Sequence, residues 1–182
     1  MIITISGKEG SGKTSVGKEL AKRLNLKFLS IGDLRGMIAG ERGLTIDELN
    51  EIGERESWVH EEADKKTIEI GKTQDNFIVE GWIAFHFVPH SKKIFLDVNE
   101  NTAAERIFKD QRHDEAKQES VENVKKMLKN RLIKTDKQFK KYYKVDFLNY
   151  KNFDIVIDTT HISIEETANK ILGMLKSKTK RL

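Results

Sequence analysis

Residues Gly7 to Thr14 read Gly-Lys-Glu-Gly-Ser-Gly-Lys-Thr, and few octets restrict a fold so tightly. Two glycines separated by four residues, then Lys and Ser or Thr, make the pattern of a phosphate-binding loop. Such a loop presses bare backbone N–H groups against a polyphosphate, and Gly7, Gly10 and Gly12 leave its path clear of side chains. Lys13 supplies a point charge to the β- and γ-phosphates, and the Thr14 hydroxyl is placed to ligate Mg²⁺. Lys8, Glu9, Ser11 and Ser15 complete the stretch expected around the nucleotide. The flanks agree with the motif. Met1 to Ile5 is an apolar, β-branched run that predicts a buried strand, Ile2–Ser6, feeding the loop. Val16, Leu20, Ala21 and Leu24 recur at helical spacing, so a helix begins where the loop ends, and its N-terminus favours anions. A nucleotide-binding protein is expected.

Four further short runs rich in Val, Ile, Leu or Phe predict strands: Lys27–Leu29, Phe77–Val79, Lys93–Val98 and Asp154–Ile157. Strands alternating with helices predict an α/β fold, a five-stranded parallel sheet with helices on both faces. The 182 residues suit one domain with one sizeable core. Thr45-Ile46-Asp47-Glu48 and Ser163-Ile164-Glu165-Glu166 are capping-box openings for two of the helices. Two stretches exceed what a plain crossover needs, residues 32–74 and 99–152. They leave a core of 1–31, 75–98 and 153–182. In the second stretch Val121, Val124, Leu128, Leu132, Thr135, Phe139 and Tyr142 form one helical stripe. From Arg106 to Lys144 its other faces carry thirteen Lys or Arg against six Asp or Glu. That excess suits either a solvated helix or an anion-facing lid.

Composition narrows the rest. The chain has no cysteine, which excludes disulfides and thiolate metal sites. Thirty-three basic residues are offset by 29 acidic ones, a net charge of +4 that suits small anions as well as nucleic acid. No apolar run approaches a membrane span, and the chain opens on a core strand rather than a signal peptide. A cytoplasmic, membrane-free monomer acting on small molecules is expected.

A phosphate loop on a five-strand sheet with two helical inserts resembles the nucleoside monophosphate kinases, and in particular the archaeal-type cytidylate kinases. The resemblance runs over nearly the whole chain. Its carriers are Ile2 to Gly7 with the loop, Ser30-Ile31-Gly32-Asp33-Leu34-Arg35, Val79-Glu80-Gly81, Ala104-Glu105-Arg106-Ile107, Lys141 to Asp146, and Phe153 to Thr159. It implies a three-layer P-loop kinase fold, with 32–74 as acceptor-binding insert, 99–152 as lid, and ATP with Mg²⁺ as cofactors. It implies phosphoryl transfer to a nucleoside monophosphate, most readily CMP or dCMP.

Chemistry agrees with several of these positions. Arg35 can hold the acceptor's phosphate in a bidentate pair, while Asp33 and Thr14 are the expected Mg²⁺ ligands, Asp33 through water. Glu80 stands at the next strand end and can share that task. Ser30, Gly32, Asp64 and Gly81 complete the expected acceptor side, and Arg106, Arg112 and Arg131 are lid arginines expected to close on the transferring phosphoryl group.

Three positions depart from that family's pattern. Trp82 stands where an arginine is usual after Glu80-Gly81, Gln138-Phe139 replaces an Arg-Tyr pair, and His60 replaces an Asp. An imidazolium at His60 is a candidate substitute contact for the acceptor phosphate. Two alternatives stay open at this point. Gly-Ser-Gly-Lys-Thr followed by Val16-Gly17 is similar to shikimate kinases, although the acidic pair of that family is replaced by Leu29 to Gly32. A non-catalytic nucleotide switch or RNA-associated protein would use the basic second insert, but no RNA-recognition motif is present and aromatics do not interleave with the basic residues.

Overall fold

The computed structural model describes residues 1–111 and 117–179. Five strands, β1 (Ile2–Gly7), β2 (Lys27–Ser30), β3 (Phe77–Glu80), β4 (Lys92–Asp97) and β5 (Ile155–Asp158), form one parallel sheet in the order β2-β3-β1-β4-β5. The expected strands are all present, displaced by one residue at most at either end. β1 lies at the centre, paired with β3 and β4, and is buried from Ile3 onward. That is why its sequence is apolar without alternation. β5 lies at an edge and does alternate, with Ile155 and Ile157 inward and Val156 and Asp158 outward.

Helices cover both faces. Beneath one face, α1 (Lys13–Leu24) and α8 (Ile164–Thr179) bury Val16, Leu20, Ala168 and Ile171 against Ile3, Ile5, Ile94 and Leu96. On the other, α5 (Ala84–Phe87) and the residues after α7 (Val121–Tyr143) enclose Phe77, Val79, Phe85 and Phe147. Three helices, α2 (Ile31–Glu41), α3 (Ile46–Gly53) and α4 (Trp58–Thr73), fill most of the first long stretch and carry a small core of their own around Ile38, Leu49, Val59 and Ala63. The second stretch holds α6 (Glu100–Lys109), α7 and a 3₁₀ turn at Tyr150–Asn152.

Helix starts follow the sequence signals. Thr45 and Glu48 form the reciprocal capping box at α3, and Ser163 with Glu166 forms another before α8. Ser30, Asn99 and Ser120 cap α2, α6 and α7 through single side-chain acceptors.

The α7 stripe is longer in its reach than a lid requires. Leu132, Phe139 and Tyr143 pack on the central core, and the Phe147 ring meets Phe139 at 5.4 Å and Trp82 at 5.1 Å between centroids. Tyr143 rather than Tyr142 joins this core; Tyr142 instead faces His60 at 5.6 Å. Phe147 is wholly buried where the chain leaves α7. Phe147→Ala should therefore destabilise the fold by about 3–5 kcal/mol in chemical denaturation; a loss below about 1 kcal/mol would mean that α7 is not tied to the sheet there.

Candidate active site

The carboxyl ends of β1, β3 and β2 open on one cleft of about 1080 Å³, a volume at the upper end of small-molecule sites. Open parallel sheets bind ligands at this edge. All the residues expected from sequence to form the site line this cleft except Gly7, Lys8 and Arg112. Arg112 lies outside the described residues. Gly7 is behind the loop, at φ +148°, where a Cβ would stand 2.1 Å from the Leu96 carbonyl oxygen. Lys8 corrects the sequence reading: its ammonium pairs with Asp97 at 2.7 Å, away from the cleft, and only its carbonyl serves the loop. That carbonyl accepts from Ser11 Oγ at 2.7 Å and from Lys13 Nζ at 2.8 Å.

Lys13 is almost wholly buried. Desolvation lowers its pKa, and the nearby carboxylates of Glu80 and Glu9 oppose the shift. Its Nζ lies 5.6 Å from the centroid of the Trp82 ring, so Trp82 forms part of the wall beside the loop as well as packing on Phe147. At the end of β3, Glu80 Oε2 accepts from Ser30 Oγ at 3.0 Å and from Thr14 Oγ1 at 3.3 Å. Thr14 thus neighbours Glu80 rather than Asp33, whose exposed residue contributes its backbone N–H to the Ser30 cap. Among the described residues no group of three or more His, Asp or Glu forms a metal cage. One hydroxyl and one carboxylate suit Mg²⁺, which keeps most of its waters.

Arg106 also departs from the closing role expected for it. Its Nη1 donates to the Gly10 carbonyl at 3.2 Å and its Nη2 to the Thr159 carbonyl at 2.8 Å. Its two terminal nitrogens thus tie the loop to the residue that follows β5. Arg131, on α7, does face the loop, with Nη1 3.1 Å from Glu9 Oε1 and Nη2 3.7 Å from Asp47.

The end of the cleft away from the loop is built on α2, α3, α4 and α7. Arg35 Nη2 donates to Asn50 Oδ1 at 2.9 Å, and Nη1 lies 3.0 Å from His60 Nδ1. His60 Nε2 lies 3.1 Å from the Gly53 carbonyl. A carbonyl only accepts and a guanidinium only donates, so the proton is on Nε2 and Nδ1 presents its lone pair. Burial, then the charge of Arg35, lowers the His60 pKa. The imidazolium expected from sequence is accordingly disfavoured, because both ring nitrogens are already engaged. Nearby, the Tyr143 hydroxyl donates to Asp64 Oδ2. Desolvation raises the Asp64 pKa to about 6, against the opposing bond from Tyr143 and the charge of Arg35. Sequence reasoning did not assign Asn50, Tyr143, Asp97 or Thr159 to the site; the last three lay inside or beside quoted motifs, while Asn50 carried no signal.

A phosphate loop at the central strand, a carboxylate on the adjacent strand and an arginine-bearing cleft define a P-loop phosphotransferase. The solved shikimate kinase of Aquifex aeolicus superposes with a TM-score of 0.62 over all of both chains at 18% identity, a likeness of fold alone. The chain belongs to the cytidylate kinase-like family, whose model matches residues 2–161. A cytidylate kinase of Methanosphaera stadtmanae is 33% identical over 178 residues, covering 98% of this chain and 99% of that one. An S-adenosylmethionine-dependent nucleotide dehydratase of Lacinutrix mariniflava is 33% identical over 171 residues, 93% of this chain but 35% of that protein. Membership settles the enzyme class as phosphotransferase, in place of a non-catalytic RNA-associated protein. Among the described residues no helix is long and apolar enough to cross a membrane.

Asp64 gives a pH test. Its folded pKa of about 6 exceeds the ordinary value near 3.8, so the folded state holds this proton more tightly than the unfolded chain. Stability from this group is present at low pH and is lost as pH rises through that window. Asp64→Asn should gain melting temperature relative to the unmutated protein between about pH 4 and about pH 6, and the gap should stay constant above. A pH-independent gap would mean that Asp64 titrates normally.

Proposed function

We propose that this protein transfers the γ-phosphoryl group of ATP to a nucleoside monophosphate, with CMP or dCMP as the acceptor. One observation supports this most directly: the phosphate loop with Lys13 and the Arg35 guanidinium open into the same cleft of about 1080 Å³. The family match and the named cytidylate kinases support the choice of acceptor base.

On this reading the loop amides and Lys13 hold the β- and γ-phosphates, and Arg35 holds the acceptor's phosphate so that its oxygen approaches in line. The capped N-terminus of α2 lends its free N–H groups to the same anionic region. Arg131 leaves Glu9 for the transferring group, whose spreading charge needs stabilising more than its bonds need making. Thr14, with Glu80 and Asp33 acting through water, would hold Mg²⁺, which neutralises phosphate charge. Residues 32–74 act as acceptor insert and 99–152 as lid, excluding water that would otherwise take the phosphoryl group. Direct transfer requires no covalent enzyme intermediate.

Lys13→Ala should lower kcat by about a hundred-fold or more with the fold retained, since the lost charge acts on phosphate. Near-normal turnover would remove the loop from the mechanism. Arg35→Ala should raise the acceptor KM far more than the ATP KM, and equal effects would place Arg35 on the ATP side. ADP release with CMP, dCMP, UMP, AMP, GMP and shikimate tests the acceptor; preference for a purine monophosphate or for shikimate would overturn the CMP assignment.

A further inference from the structure

We propose that His60 is a positioning residue for acceptor binding: it orients the Arg35 guanidinium through a neutral acceptor and so leaves that guanidinium's charge free for phosphate. The inference rests on the reading of Arg35 as the acceptor's phosphate ligand. Three helices meet at this contact. Arg35 is on α2, His60 on α4, and the Gly53 carbonyl that fixes the imidazole is the last residue of α3. The bond to Gly53 commits the Nε2 proton and turns the Nδ1 lone pair toward Arg35 Nη1. The residue is buried, and a Cβ on Gly53 would come within 3.0 Å of His60 Nε2, so the ring has little freedom to leave.

Charge is the point of the arrangement. A carboxylate accepting the same bond would orient Arg35 equally well but would cancel much of its attraction for an incoming dianion. Asn50, the second partner of the guanidinium, is also uncharged. The carboxylate acting on Arg35 through its charge is Asp64, and it accepts from the Tyr143 hydroxyl. Arg35 is thus held in a cradle of neutral acceptors. Protonation of His60 would destroy the acceptor and set a like charge against Arg35. The groups facing His60 are Arg35 from α2, Gly53 from α3, and Tyr142 and Tyr143 from α7, while Asp64 and Glu61 on its own helix act on the neighbouring Tyr143.

The test is steady-state kinetics with ATP and CMP for His60→Asn, His60→Asp, Arg35→Ala and the unmutated enzyme, from about pH 4.5, well below the ordinary imidazole range, to about pH 8. Asn keeps a neutral acceptor near the Nδ1 position, and its acceptor KM should stay within about three-fold. Asp keeps the bond but adds charge, and should raise the acceptor KM about ten-fold or more with the ATP KM unchanged. As pH falls, the unmutated enzyme should show a rise in acceptor KM that His60→Asn lacks. Ionisation of Asp64 and of the acceptor's own phosphate is common to both and cancels in the comparison. Equal KM changes for Asn and Asp, or identical pH profiles for His60→Asn and the unmutated enzyme, would overturn the inference. Should His60→Asp fail to fold, as judged by melting, the His60→Asn profile decides. If Arg35→Ala leaves the acceptor KM unchanged, the reading of Arg35 falls first; if it raises KM while Asn and Asp behave alike, the role of His60 alone falls.

Discussion

The nucleotide side of the cleft depends on how closely the loop is pressed against its neighbours. A Cβ at Gly7 would meet the Leu96 carbonyl, and one at Gly10, where φ is +73°, would stand 2.7 Å from Ala103 Cα on α6. Neither position has space or backbone geometry for another residue. Contacts from behind then hold the shape. Thr159 Oγ1 lies 3.0 Å from the Ser11 carbonyl and 2.9 Å from the Asp97 carbonyl, and Arg106 ties Gly10 to Thr159. Asp97 anchors Lys8, with the Tyr150 hydroxyl and the Val98 N–H as further donors. Burial works against the Asp97 charge, yet these bonds hold its pKa below the ordinary carboxylate range. The outcome is a preorganised loop, which is what electrostatic catalysis requires.

In front of the loop the problem is one of charge. Lys13 is taken out of water, a cost that Glu80 and Glu9 partly offset. Glu9 in turn accepts from Arg131 through one oxygen, while the other is buried with no hydrogen-bond partner. An unmet buried acceptor costs about 1–3 kcal/mol or more for a charged group, so the Glu9–Arg131 pair is not a deep well. Arg106, by contrast, spends its terminal nitrogens on the Gly10, Thr159 and Thr160 carbonyls.

Local signals made the fold legible. Strand runs, the loop, and the caps at Thr45 and Ser163 all act within a few residues, and each appears where those signals put it. Part of the cleft lining was legible too, because strand ends and insert starts determine it, whereas Asn50, Tyr143 and Thr159 come from elsewhere in the chain. Which way each side chain points was not. Lys8 turns away because Asp97, 89 positions on, ends the neighbouring strand, and Arg106 turns back because Thr159 lies opposite. Such pairings depend on sheet order, which no local pattern encodes. The choice between Tyr142 and Tyr143 failed for a smaller reason: the α7 stripe nears its end there, and successive residues lie on adjacent helical faces.

Tyr143 shows how the two ends of the cleft are joined. Its ring packs in the central core, 5.5 Å from Phe87 and 6.0 Å from Phe139 between centroids, and its hydroxyl reaches Asp64 on α4. Ion pairs also cross from α7 toward α3, Lys134–Glu54 at 2.7 Å and Arg131–Asp47 at 3.7 Å. The first is solvent-exposed and the second long, and pairs of this kind contribute little to fixing one element against another. Tyr143 differs because its ring is immobilised by packing, so its hydroxyl is presented at nearly constant position and the bond to Asp64 carries little ordering cost. Any rotation of α4 relative to the sheet must break or carry this bond. The carboxylate that receives it also lies within reach of the Arg35 charge. Asp64 is thus the point at which α2, α4 and α7 meet, and α7 also carries Arg131 to the loop.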